Sequence, residues 1–161
     1  MKKIFGFFII IVLITGCAVS GKNIKSDTEM DISKADSQQY IKYLNLNSQN
    51  KNIKEQKDIL LNLSKKYPQS EQIKRDLIDL YFENGENKSA LELTEKLLKK
   101  YPDDLNLLYK KANIIESTGG FSESTYKKII KNSKQPVLPR FKLANHYYEK
   151  KKYKEAFNQY K

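Results

Sequence analysis

The sequence has 161 residues, enough for one domain of ordinary size, and carries 30 lysines and arginines against 19 acidic residues. Only Arg75 and Arg140 are arginines, so the net charge of +11 is mostly lysine and lacks the clustered guanidinium groups of nucleic-acid surfaces. With one Cys, one His and six Gly, the composition excludes an intramolecular disulfide, a Cys/His metal cluster and a glycine-rich phosphate loop. We therefore expect no cofactor, no metal and no nucleic-acid partner.

Residues 1–16 have the organisation of an export signal. Two lysines follow Met1, and residues 4–14 form an apolar run broken only by Gly6, too short for a spanning helix of ~20 residues. The run ends in Ile14-Thr15-Gly16-Cys17, which resembles the lipobox of bacterial lipoproteins. This resemblance implies that residues 1–16 are removed as a signal peptide and that Cys17 is lipidated. The alternative is a plain secretory signal with an incidental Cys.

Residues 17–36 follow as the lipidated Cys and a polar segment without an apolar period. Its Ser, Asp and Lys content predicts a flexible tether between membrane and domain. Because several acyl chains anchor a protein stably, we expect a location in the cell envelope, on the extracytoplasmic side. Ala18 favours the outer membrane if the organism has one; otherwise the plasma membrane is expected.

Residues 37–161 contain an internal repeat. Lys65-Lys66-Tyr67-Pro68 recurs 34 residues later as Lys99-Lys100-Tyr101-Pro102. A period of 34 is typical of tetratricopeptide repeats, in which each unit is a pair of antiparallel helices. The period predicts units at about 37–70, 71–104, 105–136 and 137–161.

The second unit shows the pattern most clearly. Leu77, Leu80 and Tyr81 share one face of a first helix, and Gly85 suits the left-handed end of that helix. Ala90 is small, as the closest contact between two helices requires. Pro102 ends the second helix, because the residue before a proline is biased away from helical geometry.

The other units follow the same plan less strictly. The third has a second helix two residues early, which we attribute to a deletion in the turn, and its apolar positions are Leu108, Ala112, Ile115, Tyr126, Ile129 and Ile130. The fourth matches at Leu143, Ala144, Tyr147, Tyr153, Ala156 and Tyr160. The first is the weakest: its predicted core is Tyr40, Tyr43, Leu44, Ile59, Leu60 and Leu63, with Asn47 and Gln56 at positions that are usually apolar or small.

The whole domain resembles tetratricopeptide repeat proteins, although the family's Trp is absent throughout. The resemblance implies an all-α fold of antiparallel hairpins stacked in a short right-handed solenoid; an ordinary helical bundle is the alternative. In that family the first helices line a concave groove that binds peptides. The corresponding groove candidates here are Arg75, Asp79, Phe82, Tyr109, Asn113, Phe141, Asn145 and Tyr148. The competing interpretation is that these side chains pack against neighbouring repeats.

The remaining residues give no sign of an enzyme. His146 is the only histidine, and no nucleophile, base and acid can be assembled around it. We expect a lipid-anchored scaffold that binds protein partners in envelope complex assembly, of the outer-membrane assembly or pilus biogenesis type. The alternative function is a cell-wall enzyme accessory or envelope-polymer binder that uses the lysine-rich surface.

The carboxyl end predicts an exposed edge. Tyr153, Ala156, Phe157 and Tyr160 form an apolar stripe on a short helix, and a last hairpin without a polar cap exposes the face prepared for a further unit. We expect Ala156 and Tyr160 to pack on Leu143 and Tyr147, and Phe157 to stay uncovered. Such an edge favours self-association or fraying of the last helix.

Overall fold

The computed structural model describes residues 33–160, apart from the side chain of Lys34. This part of the chain forms eight α-helices and no strand, as the periodicity predicts. The predicted signal peptide, Cys17 and most of the predicted tether lie outside the described residues. The helices are α1 (Lys34–Ser48), α2 (Ile53–Lys66), α3 (Glu71–Glu83), α4 (Asn87–Lys100), α5 (Leu105–Ser117), α6 (Glu123–Asn132), α7 (Val137–Glu149) and α8 (Tyr153–Tyr160).

Consecutive helices pair as antiparallel hairpins, and each of the first three hairpins closes with the same kind of contact. The last turn of the second helix reaches back to the start of the first helix. Lys66 Nζ lies 2.7 Å from Asp36 Oδ1, and Lys100 Nζ lies 2.8 Å from Glu71 Oε1. In the third hairpin, the side-chain amide of Asn132 donates to the carboxylate of Asp103.

The apolar core runs along the chain in three clusters, and each cluster joins one hairpin to the next. In the first, Leu60 and Leu63 of α2 meet the buried face of α3. In the second, Ala90 and Leu97 of α4 meet α3 and α5. The third joins α5 and α6 to the last hairpin through Leu108, Ala112, Tyr126, Ile129, Leu143, Tyr147 and Ala156. This packing is consistent with a helical repeat in which no hairpin buries a core by itself.

The turns confirm that Gly85 and Pro102 lie just beyond the ends of helices. Gly85 and Gly119 have φ of 73° and 79°, in the left-handed region that glycine adopts without a Cβ clash. Tyr101 follows the last residue of α4 with φ of −126° and ψ of 72°, outside the helical region that the proline after it disfavours. The lysine run near the carboxyl end is a turn, since α7 ends at Glu149 and α8 begins at Tyr153.

Helix α1 begins three residues earlier than predicted. Ser33 caps it by accepting from the Asp36 backbone N–H, and Asp36, assigned to the tether, is buried. Its carboxylate accepts from Ser33 Oγ, Lys66 and the Tyr67 hydroxyl, which lies 2.7 Å away. The hydrogen bonds from Lys66, Tyr67 and Ser33 lower the pKa of Asp36 to about 2. This set of contacts fixes the first turn of the domain.

The third hairpin contains a further correction. Its turn is longer than that of the second hairpin, with five residues between α5 and α6, and α6 has 10 residues where α4 has 14. The deletion therefore shortens the helix and not the turn. Phe121 explains the change, because its ring folds back from the turn and stacks on Tyr126 with the centroids 4.8 Å apart.

Two predicted core residues are more exposed than expected. Leu44 of the weak first unit is 44% exposed. Tyr160 is 50% exposed and not covered by Leu143 and Tyr147, whereas Ala156 is buried beside these two residues as predicted. Among the described residues, no helix is long and apolar enough to cross a membrane.

Candidate binding face on the last helical hairpin

Arg75, a groove candidate on α3, holds two hairpins together. Its Nη2 lies 2.5 Å from Oδ2 of Asp104, the residue that caps α5 by accepting from the Leu107 N–H at 3.0 Å. Burial alone would raise the pKa of Asp104, but Arg75 and the helix N–H groups lower it overall. A ligand would have to displace this ion pair to use Arg75, so its role is structural.

Asp79 and Phe82 are similarly occupied. Asp79 Oδ1 lies 2.6 Å from Lys110 Nζ of α5, and the same ammonium group stands 5.5 Å from the centre of the Phe82 ring. Phe82 is half-buried against the second apolar cluster. These contacts connect α3 with α5, so the competing interpretation, packing between repeats, describes both residues.

The middle of the predicted groove offers one open candidate. Tyr109 is half-buried against the third apolar cluster. Glu116, one turn beyond Asn113, accepts from Lys142 and from the Tyr126 hydroxyl, which ties α5 to α6 and α7. Asn113 itself is exposed.

The candidates on α7 lie together on an exposed surface. Phe141, Asn145 and Tyr148 are spaced i, i+4 and i+7, which places them on one face of the helix. Phe141 is 52% exposed and Tyr148 is 61% exposed. The structure therefore divides the eight groove candidates into three groups. Those on α3 are engaged in contacts within the chain, the pair on α5 comprises one half-buried and one exposed residue, and those on α7 share an exposed surface.

Helix α8 completes this surface with two tyrosines. The rings of Phe141 and Tyr160 are 6.1 Å apart, and the rings of Tyr148 and Tyr153 meet edge to face at 5.5 Å. The Tyr160 hydroxyl donates to Asn145 Oδ1 at 2.5 Å. We call these five residues the aromatic face: two ring pairs about 10 Å apart along α7, with a polar group between them. The sequence predicts the α8 stripe, but Tyr160 lies on the surface and not in the core as predicted.

Exposed apolar side chains are concentrated around this face. Of the ten large ones in residues 33–160, seven belong to α7 and α8; they are Val137, Leu138, Phe141, Tyr148, Tyr153, Phe157 and Tyr160. Concentrated exposure of this kind marks interaction sites on soluble domains, whereas single exposed apolar residues do not.

The surroundings of the aromatic face are basic. Residues 137–160 contain six basic and two acidic residues, a net charge of +4. Lys150, Lys151, Lys152 and Lys154 are all exposed at or beside the turn that joins α7 to α8. The surface therefore combines exposed aromatic rings with a positive charge.

His146 lies beside this surface in a different setting. Its ring stacks on Phe121 with the centroids 3.9 Å apart, at the edge of an open depression of about 610 Å³ that Lys142 and Lys150 also line. Burial, with the nearby Lys150 charge, lowers the pKa of His146, so the imidazole is neutral at pH 7. No group of three His, Cys, Asp or Glu side chains in the described part of the chain could hold a metal ion.

Comparison with known proteins assigns no family: no family model matches the chain, and no curated protein is similar enough to count as a relative.

Proposed function

We propose that this protein is a lipid-anchored scaffold of the tetratricopeptide type, which binds a protein partner in the cell envelope and is not an enzyme. The observation that carries the proposal is the aromatic face, where four half-exposed rings stand on one hairpin. Phe141, Asn145 and Tyr148 are its groove residues, extended by Tyr153 and Tyr160.

The repeat period supports the tetratricopeptide assignment. Helices α2 and α4 begin and end 34 residues apart, and so do the starts of α3 and α5. The recurring Tyr-Pro pair lies just after each of these second helices. A right-handed stack of the four hairpins is the arrangement that this period favours.

The chemistry of the face supports protein binding. Aromatic side chains bury 150–250 Å² each and lose little conformational freedom, so they dominate the energetics of interfaces. The rings of each pair contact each other, and Asn145, whose Oδ1 accepts from the Tyr160 hydroxyl, adds an amide NH2 that can donate to a peptide carbonyl.

The amino-terminal sequence supports the proposed location. The apolar run and the Ile14-Thr15-Gly16-Cys17 sequence provide the export and lipidation signals, and the polar segment between Cys17 and the start of α1 provides a tether. A tethered binding domain suits an assembly role, such as holding components of outer-membrane assembly or pilus biogenesis at the membrane.

The exposed lysines beside the aromatic face favour a second candidate, binding of an anionic envelope polymer. Salt dependence separates the two functions, since attraction by exposed charges is screened at high ionic strength. Partner capture through the rings should persist in high salt, whereas polymer binding should be lost.

The proposal is tested by quantifying the protein captured by crosslinking in intact cells. Phe141→Ala/Tyr148→Ala should reduce capture of the partner at least about tenfold, because ring truncation at an interface costs ~2 kcal/mol or more. Ile41→Ala/Ile53→Ala is the matched control, since these residues are similarly exposed on the first hairpin. Equal capture by the wild type and the Phe141→Ala/Tyr148→Ala variant, both folded by circular dichroism, would contradict the proposal.

A further inference from the structure

Tyr160 occupies a repeat position that is buried in every earlier hairpin. Counting from the start of each unit, and allowing for the two-residue deletion in the third, its counterparts are Leu60, Thr94 and Tyr126. Their exposed fractions are 0%, 0% and 2%, whereas that of Tyr160 is 50%. The last hairpin thus exposes a position that the others cover.

In the first and third hairpins, this position packs against the first helix of the next unit. Leu60 clusters with Ile73 and Leu77 of α3, and Tyr126 clusters with Leu143 and Tyr147 of α7. A surface that accepts an amphipathic helix three times along the chain has the shape to accept a fourth. The occupant is therefore expected to be helical, with an apolar stripe of the kind that α3 presents.

A second copy of this chain is a poor occupant. Its α1 carries the exposed Gln39 at the position where Ile73, Leu107 and Pro139 are buried in the other first helices. Its first hairpin, residues 34–66, has seven basic and three acidic residues, a net charge of +4. The last hairpin carries the same positive charge, so docking either end on it would bring like charges together.

We propose that the aromatic face and the outer side of α8 bind an acidic amphipathic helix of a partner protein, packed where a further first helix would lie. This inference rests on the proposed scaffold function and names the chemistry of its partner. The apolar stripe covers Tyr160 and Phe141, and acidic residues beside the stripe meet Lys150, Lys151 and Lys154.

A peptide with the sequence of α3 can test this inference. Residues 71–83, the sequence of α3, contain four acidic and two basic residues, and in the intact chain this helix covers Leu60. A synthetic peptide of this sequence, held helical by a staple on its polar side, is the acidic probe. The control peptide carries Asp76→Lys, Asp79→Lys and Glu83→Lys. Its apolar residues are the same as those of the acidic probe.

Binding to the full chain in detergent is measured by fluorescence anisotropy of each labelled peptide. We expect the acidic peptide to bind at least about tenfold more tightly than the basic one, with the preference shrinking as salt is added. Phe141→Ala/Tyr160→Ala should weaken binding at least about tenfold, and Ile41→Ala/Ile53→Ala should leave it unchanged.

Equal binding of both peptides, or unchanged binding by Phe141→Ala/Tyr160→Ala, would overturn the inference. So would a concentration-dependent dimer in light scattering that this variant abolishes, because a second copy would then be the occupant. If the peptides fail while capture in cells still depends on Phe141 and Tyr148, this inference fails and the proposed function stands. If the peptides fail and capture in cells does not depend on Phe141 and Tyr148 either, the proposed function fails as well.

Discussion

Replacement of Ala90 by leucine tests how closely the two helices of the second hairpin approach. Ala90 is fully buried and contacts a cluster that contains Ile78 and Leu97 of its own hairpin and Leu107 and Ile114 of α5. Its carbonyl also accepts from the Thr94 hydroxyl at 2.7 Å, which fixes the local backbone. Added volume at this position has to displace residues from two hairpins.

Whether Ala90→Leu raises or lowers the free energy of unfolding depends on the space around the side chain. Three additional buried carbons would stabilise the protein by ~2.4 kcal/mol if a cavity received them, at ~0.8 kcal/mol each. In a filled core the same atoms force neighbouring side chains off their rotamers, at a cost of ~1–3 kcal/mol. Because Ala90 is enclosed on all sides, we expect Ala90→Leu to lower the free energy of unfolding by ~1–3 kcal/mol.

Urea unfolding followed by far-ultraviolet circular dichroism measures this change. With an unfolding slope of ~1–3 kcal/mol per molar urea, the midpoint should fall by ~1 M. Lys88→Leu adds an apolar side chain at an exposed position of the same helix and should shift the midpoint little. An unchanged or higher midpoint for Ala90→Leu would refute the close approach of the two helices.

Two further predictions concern the amino-terminal part of the chain. Cys17→Ser should release the protein from membranes or leave an uncleaved precursor in fractionated cells; normal processing with membrane retention would exclude lipidation. Asp36 has a folded pKa of about 2 against an ordinary 3.8, so its contacts stabilise the fold above pH ~4, and this stability is lost as the pH falls towards 2. The urea midpoint of the wild type should therefore fall more steeply over this range than that of Asp36→Asn, and parallel pH profiles would show that the contacts contribute nothing.

The 34-residue period predicts the helices well, because turns and core positions recur at fixed offsets. Gly85, Ala90 and Pro102 each occupy the role that their chemistry suggests, and α3 and α4 both lie within the predicted unit 71–104. The period says less where the sequence departs from it. In the third unit, the stacking of Phe121 on Tyr126 and His146 sets the length of the turn, and no spacing rule contains that contact.

The candidate site is harder to predict from the sequence. Whether a side chain is free to bind a ligand depends on its contacts with other residues of the folded chain. Arg75 and Asp79 lie at groove positions by resemblance, but their ion pairs join residues 29 and 31 positions apart and need the fold to bring them together. Tyr160 shows the reverse case. Its spacing matches the core stripe, whereas its exposure depends on what lies beyond α8.

Site-specific photocrosslinking in living cells tests the central claim most directly. A photoreactive phenylalanine analogue replaces Tyr148 on the aromatic face or, as the control, Ser48 at the corresponding position of the first hairpin, which is also exposed. We predict a discrete crosslinked partner from position 148 and none from position 48. The same adduct from both positions, or an adduct from position 48 alone, would contradict the assignment of the aromatic face as the binding surface.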